Sequence, residues 1–423
     1  MVARDEVLNA HAVHKGKIEI IPKVVAATKD ELSTFYTPGV ALVSEEIKND
    51  KLKSYTYTNR QNTIAIVSDG TRILGLGNIG PEAGMPVMEG KALLFKRLGG
   101  IDAIPLCIGT TDEEEIIKFV KYLAPSVGGI NIEDIESPKS FRIVNRLSES
   151  LDIPVLHDDQ HGTAVVAAAA LLNSLKLAGK KVNEVKIVLN GAGSAGFGIF
   201  NMLRQMGAKN LYVLDREGII YKGRKERMNE FKEIIANNSN PDMQQGTLES
   251  VVKGADVLIG ASEANRFTKD MIRSMNDKAI VFALANPTPE ISYEEAKEAG
   301  AFIVATGRSD KPNQVNNILA FPGIMRGLLD AGAKRVDYEL LLSAAVALAK
   351  TVGKELSPDF ILPSVSDKKS IIKIASKMAA AVAENATARG IAKFDVSPES
   401  VKENTKQTIK RYLKIEGKVV GKI

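Results

Sequence analysis

Residues 156–163 read LHDDQHGT and contain four side chains that are able to bind a metal. Two adjacent aspartates, Asp158 and Asp159, are flanked by two of the chain's four histidines, His157 and His161. Carboxylate oxygens suit Mg²⁺ or Mn²⁺, whereas histidines at i and i+4 suit zinc when both lie on one helix. We expect a turn near Gly162 to separate the histidines, which favours the aspartates as ligands.

A second acidic pair follows another predicted strand. The stretch GGINIEDI is apolar up to Glu133 and Asp134, just as IPVLHDD is apolar up to its aspartates. The carboxyl ends of parallel strands meet at one edge of a sheet, so the four carboxylates should lie close together and would repel one another without a cation. The sequence therefore predicts a Mg²⁺ or Mn²⁺ site. The alternative is that these acids only cap strand and helix ends.

The stretch GAGSAG predicts a dinucleotide site. It places Gly191, Gly193 and Gly196 in G-x-G-x-x-G order between the apolar strand VKIVLN and a helix. The first glycine allows a tight turn, the second lets the backbone approach a pyrophosphate, and the third lets the helix pack against its strand. The start of the helix, with Ser194 and Ala195, presents free N–H groups to phosphate.

The residues after the next strand leave the choice between NAD and NADP open. Asp215 ends the stretch AKNLYVLD and suits the free hydroxyls of an adenine ribose, which favours NAD. Four basic side chains beyond it could hold a 2′-phosphate or belong to a solvated loop: Arg216, Lys222, Arg224 and Lys225.

Five further polar side chains lie beside apolar stretches or turns. Lys91, in the helical stretch MEGKALLF, can act as a base if burial near a cation depresses its pKa, or it can point to solvent like most lysines. Tyr36, before the turn of YTPGVA, suits a general acid or a packed aromatic. Arg72, Asn286 and Asn317 could hold a carboxylate or an amide, or could serve in turns.

The order of predicted elements indicates an α/β protein with two domains. Residues 1–160 form an N-terminal parallel α/β domain, and residues 161–423 form a Rossmann-type dinucleotide-binding domain with C-terminal helices. A Gly-rich loop is predicted over 74–84, and helices over 88–100 and 162–180. Strands are predicted over residues 63–70, 101–109, 128–135, 153–159, 185–190, 208–215, 255–260, 279–284 and 301–306.

Composition gives no sign of a nucleic-acid or membrane partner. The net charge is only +5, from 56 basic and 51 acidic residues along 423 positions, which suits an anionic small substrate better than nucleic acid. The most apolar stretch, residues 164–172, is too short to span a bilayer. The single cysteine, Cys107, excludes an internal disulfide, and the charged N-terminus lacks a signal-peptide core. We therefore predict a cytoplasmic protein.

Seven stretches together resemble the malic enzymes in their short prokaryotic form. In chain order they are YTPGVA, SDGTRILGLGNIGPEAGMPVMEGKALLF, NIEDI, LHDDQHGTA, GAGSAG, ALANPT and QVNNILAFPG, and they cover roughly residues 30–325. The resemblance implies a homodimer that decarboxylates L-malate oxidatively to pyruvate and CO₂. It also implies NAD or NADP as the hydride acceptor and Mg²⁺ or Mn²⁺ as the metal.

The resemblance also implies roles for individual residues. Lys91 matches the general base and Tyr36 the general acid, and Asp158 is expected to tune Lys91 or the metal from beside them. Three carboxylates match the metal ligands: Glu133, Asp134 and Asp159. Three residues match substrate-contacting positions: Arg72, Asn286 and Asn317. Asn286 is also expected to contact the cofactor.

Two other functions are compatible with the same motifs. The protein could act mainly as an oxaloacetate decarboxylase or a malolactic-type enzyme, with malate oxidation as the lesser activity. It could also be a dinucleotide-binding sensor without catalysis. A sensor, however, has no need for Lys91, Tyr36 and three metal-spaced carboxylates together.

Overall fold

The first of two sheets is built entirely from parallel strands. A computed structural model describes residues 3–73, 75–365 and 367–419 of the chain. The sheet has the order β2-β1-β3-β4, and the strands are β1 (Thr63–Ser68), β2 (Asp102–Cys107), β3 (Gly129–Ile132) and β4 (Val155–His157). β1, β3 and β4 are wholly buried, which explains their continuous apolar runs.

Three helices cover this sheet: α5 (Pro81–Gly99), α6 (Glu113–Leu123) and α7 (Lys139–Ser150). The four predicted strands are confirmed, but α5 begins seven residues before the predicted start at residue 88. Pro81 occupies the first turn, where a missing N–H costs nothing, and Gly80 precedes it with φ of +81°. The last four positions of the predicted Gly-rich loop are therefore helical, and its first position, Leu74, lies outside the described residues.

The second sheet has the strand order β10-β9-β8-β5-β6-β7. This is the doubly wound order of dinucleotide-binding folds, with a switch point between β5 and β8. The two-residue strand β7 pairs antiparallel with β6 and was not predicted, because two residues carry no periodic pattern. The strands are β5 (Lys186–Asn190), β6 (Asn210–Asp215), β7 (Gly218–Ile219), β8 (Val257–Gly260), β9 (Ile280–Ala283) and β10 (Ile303–Thr306).

Five helices accompany the second sheet: α9 (Ser194–Gln205), α10 (Glu230–Asn237), α11 (Leu248–Val252), α12 (Lys269–Arg273) and α13 (Tyr293–Glu298). Short 3₁₀ turns occur at 59–62, 124–126, 317–319 and 353–355. The two sheets confirm the predicted α/β class.

Helix α8 (Asp158–Ala178) joins the two sheets and begins four residues before the predicted start at Gly162. Its alanines and valines pack into one core with β1, β4 and β5. Within the described residues α8 is long and apolar enough to cross a membrane, but 78% of its most apolar window is buried inside the protein. That burial is typical of a core helix. Because α8 begins at Asp158, it crosses the predicted domain boundary at 160/161, and that boundary stays a prediction.

Four helices follow the second sheet: α14 (Phe321–Ala331), α15 (Tyr338–Ala349), α16 (Lys368–Ala388) and α17 (Pro398–Val419). Of these, α14, α16 and α17 pack against α5. The N-terminal helices contribute little to this core. They are α1 (Arg4–His14), α2 (Lys29–Phe35), α3 (Val40–Asn49) and α4 (Lys53–Tyr57), and the first three have no buried residue.

Candidate active site

Three carboxylates converge where β3 and β4 end. One oxygen of each of Glu133, Asp134 and Asp159 lies within 4.8 Å of the other two. Asp134 has φ of +52°, a conformation that Asp and Asn tolerate better than other side chains. Its backbone N–H donates to Oδ2 of Asp159 over 3.2 Å and so ties the two strand ends together. The structure thus gathers the three residues that the resemblance implies as metal ligands.

Burial and mutual repulsion oppose full ionisation of the three carboxylates in this cluster. Burial, with the nearby Asp159 carboxylate, raises the pKa of Asp134 to about 7. Burial and the other carboxylates also raise the pKa of Glu133 well above its usual range, although Lys91 opposes the shift. Burial acts on Asp159 in the same direction, but His157 outweighs it and the pKa of Asp159 is lowered. A bound Mg²⁺ or Mn²⁺ ion fits this cluster, because it prefers oxygen ligands and would offset their negative charge.

Lys91 reaches this cluster from α5. Its Nζ lies 2.7 Å from Oε1 of Glu133 and 2.5 Å from Oδ2 of Asp158, and the side chain is 10% exposed. The ammonium also lies 4.3 Å from the ring centroid of Phe321, within the range of a cation–π contact. Burial favours the neutral amine, but Asp158 and Glu133 prevail and raise the pKa of Lys91. The lysine is therefore charged in this structure, and the depressed pKa that a nearby cation would cause stays a prediction.

Asp158 holds Lys91 and does not belong to the three-carboxylate cluster. It is fully buried, and its Oδ2 also accepts a hydrogen bond of 2.5 Å from Nδ2 of Asn317. Its Oδ1 has no partner among the described residues. A β-carbon added to Gly162 would lie 1.9 Å from that Oδ1. Gly162 is therefore required inside α8 so that Asp158 can turn towards Lys91, and it does not mark a turn as predicted.

We expect Gly162→Ala to lower kcat for the chain's reaction by about 100-fold, because the new methyl group displaces Asp158 and with it the ammonium of Lys91. Gly90→Ala on α5 is the matched control, since its β-carbon meets nothing within 4 Å. Steady-state kinetics with a melting curve for each variant separates misplacement from unfolding. Equal kcat for the two folded variants would contradict this reading of Gly162.

The two histidines face each other instead of a metal. Burial, reinforced by His157, lowers the pKa of His161 to about 3, so its ring is neutral. Its Nδ1 accepts the backbone N–H of His157 over 3.1 Å. Nε2 of His157 lies 3.6 Å from Oδ2 of Asp159. His157 therefore lies beside Asp159 while His161 holds the backbone of His157, and the geometry gives no support to a zinc pair.

Two residues that sequence reasoning missed support the site. Asn131 is fully buried on β3 and donates from Nδ2 to Oε2 of Glu133 over 2.7 Å. Alternation along the strand placed Asn131 and Glu133 on one face, and this signal could have found it. Asp69 is the second: it accepts hydrogen bonds from Thr71 and from Nζ of Lys139, the latter over 2.6 Å. It joins the loops that follow β1 and β3.

The remaining residues with predicted roles at the substrate differ in their contacts with the cluster. Arg72 is exposed, but its backbone N–H donates to the carbonyl of Asp134 over 3.0 Å, and its charge counteracts the raised pKa of Asp134, which burial chiefly causes. Asn286, after β9, is exposed and packs against Gly307. Tyr36 lies outside the cluster: its side chain is 71% exposed, and its hydroxyl has no hydrogen bond within the described part of the chain.

The glycine-rich turn has the geometry that its pattern predicts. Gly191 has φ of +130°, and a β-carbon there would lie 2.3 Å from the carbonyl of Ala261. A β-carbon on Gly196 would lie 2.0 Å from the carbonyl of Gly191, while one on Gly193 would meet nothing within 4 Å. The open side at Gly193, at the start of α9, leaves room for a pyrophosphate beside free N–H groups. This arrangement fits a dinucleotide.

Asp215 is already saturated with hydrogen bonds. Its Oδ1 accepts from Nη1 of Arg224 and from the N–H of Glu217, over 2.8 and 3.0 Å. Its Oδ2 accepts from Nη2 of Arg224 and from Nζ of Lys232, over 2.5 and 2.6 Å. Arg224 is consequently buried against Asp215, whereas Arg216 is exposed and pairs with Glu263. Sequence reasoning had named Asp215 and Arg224 but had no signal for Lys232.

Glu290, also missed, organises the far side of the switch point. It is fully buried and accepts backbone N–H groups from Ser262 and Ala285, over 3.0 and 2.9 Å. These residues follow β8 and β9, so one carboxylate holds both loops beside the glycine-rich turn. Its position in the sequence, six residues after the predicted strand 279–284, was the available signal.

Two family descriptions match the chain. "Malic enzyme, N-terminal domain" matches residues 15–118, and "Malic enzyme, NAD binding domain" matches residues 160–387. The bifunctional malic/malolactic enzyme of Bacillus subtilis (strain 168) is 48% identical over 408 residues, which are 96% of this chain and 98% of that protein. The NADP-dependent malic enzyme of Escherichia coli (strain K12) is 42% identical over 92% of this chain, but this chain spans only 53% of it.

A solved structure agrees with these matches. The malic enzyme from Pyrococcus horikoshii superimposes with a TM-score of 0.94 and 45% sequence identity, covering 99% of this chain and 98% of that one.

Proposed function

Because this chain belongs to the malic enzyme family, we propose that it converts L-malate to pyruvate and CO₂ while reducing NAD⁺ or NADP⁺. The observation that carries the proposal is Lys91, which is held between Asp158 and Glu133 at the edge of the three-carboxylate cluster. A lysine so placed is suited to move a proton at a substrate oxygen.

Lys91 takes the proton of the C2 hydroxyl as hydride leaves C2 for the nicotinamide, giving oxaloacetate. Lys91 is charged beside two carboxylates. To accept that proton, Lys91 must first lose its own to solvent; a cation held by Glu133 would leave Lys91 only Asp158 as its carboxylate partner and so would ease that loss. Asn317 and Gly162 fix Asp158 in this position. Asp158 is thus a positioning residue for Lys91.

Glu133, Asp134 and Asp159 are the residues suited to hold Mg²⁺ or Mn²⁺, which would supply Lewis-acid polarisation of the substrate oxygens. Breaking the C3–C4 bond of oxaloacetate releases CO₂ and leaves the enolate of pyruvate. Its C3 requires a proton, and Tyr36 is our candidate donor. Arg72, whose backbone joins Asp134, is our candidate for gripping a substrate carboxylate.

A coupled assay tests the whole proposal. Purified protein with L-malate, Mn²⁺ and either NAD⁺ or NADP⁺ should form reduced cofactor and pyruvate in equal amounts, and EDTA should abolish both. Failure to form pyruvate with either cofactor would falsify the proposal.

A second activity has one specific observation in its favour. A relative of nearly equal length is named a bifunctional malic/malolactic enzyme. In that reaction malate loses CO₂ to give lactate, so reduced cofactor is consumed within the cycle and does not accumulate. Lactate formed in excess of reduced cofactor would favour this function over malate oxidation, and turnover of oxaloacetate without cofactor would favour a simple decarboxylase. Binding of NAD⁺ or NADP⁺ without any turnover would favour the dinucleotide-binding sensor over an enzyme.

For cofactor choice we infer that NADP is accepted. Asp215 carries one negative charge, but Arg224 and Lys232 both pair with it, so the group is net positive and suits a 2′-phosphate. We expect Lys232→Gln to lower kcat/KM for NADP⁺ about fivefold more than for NAD⁺. Lys209→Gln, an exposed lysine before β6, is the control. If the two cofactors are affected equally in Lys232→Gln, the cluster does not set cofactor choice.

We also infer a homodimer formed through the N-terminal helices. Fifteen of the 22 exposed large hydrophobic side chains among the described residues lie between Val7 and Tyr57. Apolar surface of this extent on a soluble protein normally meets a partner, and it includes the segment that carries Tyr36. The double variant Ile20→Asp/Leu42→Asp should sediment with the mass of one chain and the parent with twice that mass. Ile234→Asp, on α10, should stay dimeric, and a monomeric parent would contradict the inference.

A reducing, cytoplasmic location remains a prediction, which rests on the single thiol of Cys107.

A further inference from the structure

A groove between α16 and α17 is lined on both sides by lysines. Along each helix three lysines recur at i, i+4 and i+8, so each set occupies one helix face. The two faces meet across a groove of about 290 Å³, which Ile372 and Ser376 also line. The lysines are Lys369, Lys373 and Lys377 on α16, and Lys402, Lys406 and Lys410 on α17.

Almost none of this charge is neutralised within the protein. Among the described residues, only Lys406 has a carboxylate within 4 Å, the exposed Glu403 at 3.3 Å. Like charges at i and i+4 on a helix are unfavourable, and here two such rows also face each other. The groove thus holds six of the chain's 56 basic residues on two adjoining helix faces.

We propose that this groove binds a small anion with at least three negative charges in a row, such as the triphosphate chain of a nucleotide. Eight residues of helix span about 12 Å, so a single phosphate would reach one end of the rows whereas an extended triphosphate reaches most of both. Ile372 and the lysine stems offer an apolar floor. A shallow groove confined to two helix faces fits a small ligand better than an RNA or a membrane, which need an extended basic surface.

The groove shares no residue with the candidate active site, and the two helices that form it pack into the core of the protein. Ile371 and Ala375 of α16 pack with Ile409 of α17 against Leu98, near the end of α5. An anion that relieves repulsion between α16 and α17 should therefore stabilise the folded chain. The proposal does not depend on malate turnover.

The test uses the full chain, dialysed free of divalent metal, with saturating NAD⁺, so that neither the metal cluster nor the dinucleotide site takes up the probe. Inorganic triphosphate should raise the melting temperature and bind one molecule per chain by calorimetry, more weakly as salt is raised. Lys373→Gln/Lys406→Gln should weaken the dissociation constant at least about tenfold. Lys118→Gln/Lys121→Gln on α6 removes the same charge elsewhere and should change it less than twofold.

ATP in place of triphosphate distinguishes the source of the phosphates. Tighter binding of ATP assigns the groove to nucleotides, and equal binding assigns it to the phosphate chain alone; both support the proposal. Three results overturn it: no binding of either probe at low salt, equal weakening in both double variants, or binding of RNA or of anionic lipid vesicles without binding of triphosphate. Far-ultraviolet circular dichroism of each variant checks that the helices persist.

Discussion

Replacing Lys91 by alanine is expected to lower kcat for malate oxidation by roughly 10²–10⁴-fold while leaving the dissociation constant for NAD⁺ nearly unchanged. The physical reason is that the ammonium lies 2.5 Å from Asp158 and 2.7 Å from Glu133, where no other described lysine forms an ion pair with either carboxylate. The glycine-rich turn, in contrast, makes its close contacts with Ala261 and not with α5.

Steady-state kinetics, together with NAD⁺ binding followed by fluorescence, measures both parts of this prediction. Lys96→Ala is a suitable control, because Lys96 lies on the same helix but pairs with Asp102 and is one-third exposed. Unchanged turnover of Lys91→Ala would remove Lys91 from the chemistry. Loss of NAD⁺ binding in parallel with turnover would indicate a structural role instead.

Replacing Asp134 by asparagine is expected to have opposite effects on function and on stability. Apparent Mn²⁺ affinity and metal-dependent turnover should fall at least about 100-fold, because one of three charged oxygen donors is lost. The metal-free protein should become more stable near pH 8, since the pKa of Asp134 is raised by burial and by Asp159 to about 7. Asparagine tolerates the φ of +52° at this position, so the backbone should not interfere.

The pH dependence follows from the direction of that shift. The unfolded chain ionises Asp134 near 3.8 and the folded chain near 7, so metal-free stability falls as pH rises between these values and stays low above them. Each unit of pKa difference corresponds to about 1.4 kcal/mol, and we expect a loss of about 1–3 kcal/mol between pH 5 and pH 8 in EDTA. Asp134→Asn should lack this loss.

Urea unfolding in EDTA at pH 5 and pH 8 measures the effect, and saturating Mn²⁺ should remove the difference between the two proteins' pH trends. Asp277→Asn, an exposed aspartate, is the control. A variant that is less stable than the parent at pH 8 without metal would show that the cluster is not strained by its own charge. Retained Mn²⁺ affinity would take Asp134 out of the ligand set.

Much of this protein was predictable from its sequence, because the signals are local. Continuous apolar runs such as TIAIVS belong to strands buried on both faces, and such strands must be parallel and covered by helices. Residues at the ends of those runs, Glu133, Asp134 and Asp159, must then share one edge of the sheet. The glycine spacing of GAGSAG reports backbone conformation directly, and the structure confirms it at Gly191 and Gly196.

Other properties required the tertiary structure. Adjacent aspartates in one stretch have different roles because Asp158 faces Lys91 and Asn317, whereas Asp159 faces Asp134 and His157. The charge on Lys91 could not be predicted, because it depends on carboxylates 42 and 67 positions away in the chain. Saturation of Asp215 depends likewise on Lys232 from α10.

The difference between the properties that the sequence predicts and those that need the tertiary structure has one physical cause. Backbone preference and hydrophobic periodicity act between near neighbours in the chain, so the sequence alone determined the strands, the strand-end carboxylates and the glycine-rich turn. Protonation, saturation of hydrogen bonds and the meeting of two lysine rows depend on distances of a few ångströms between separate elements. Those distances were decided by where α5 and α8 place Lys91 and Asp158, by where α10 places Lys232, and by how α16 packs against α17.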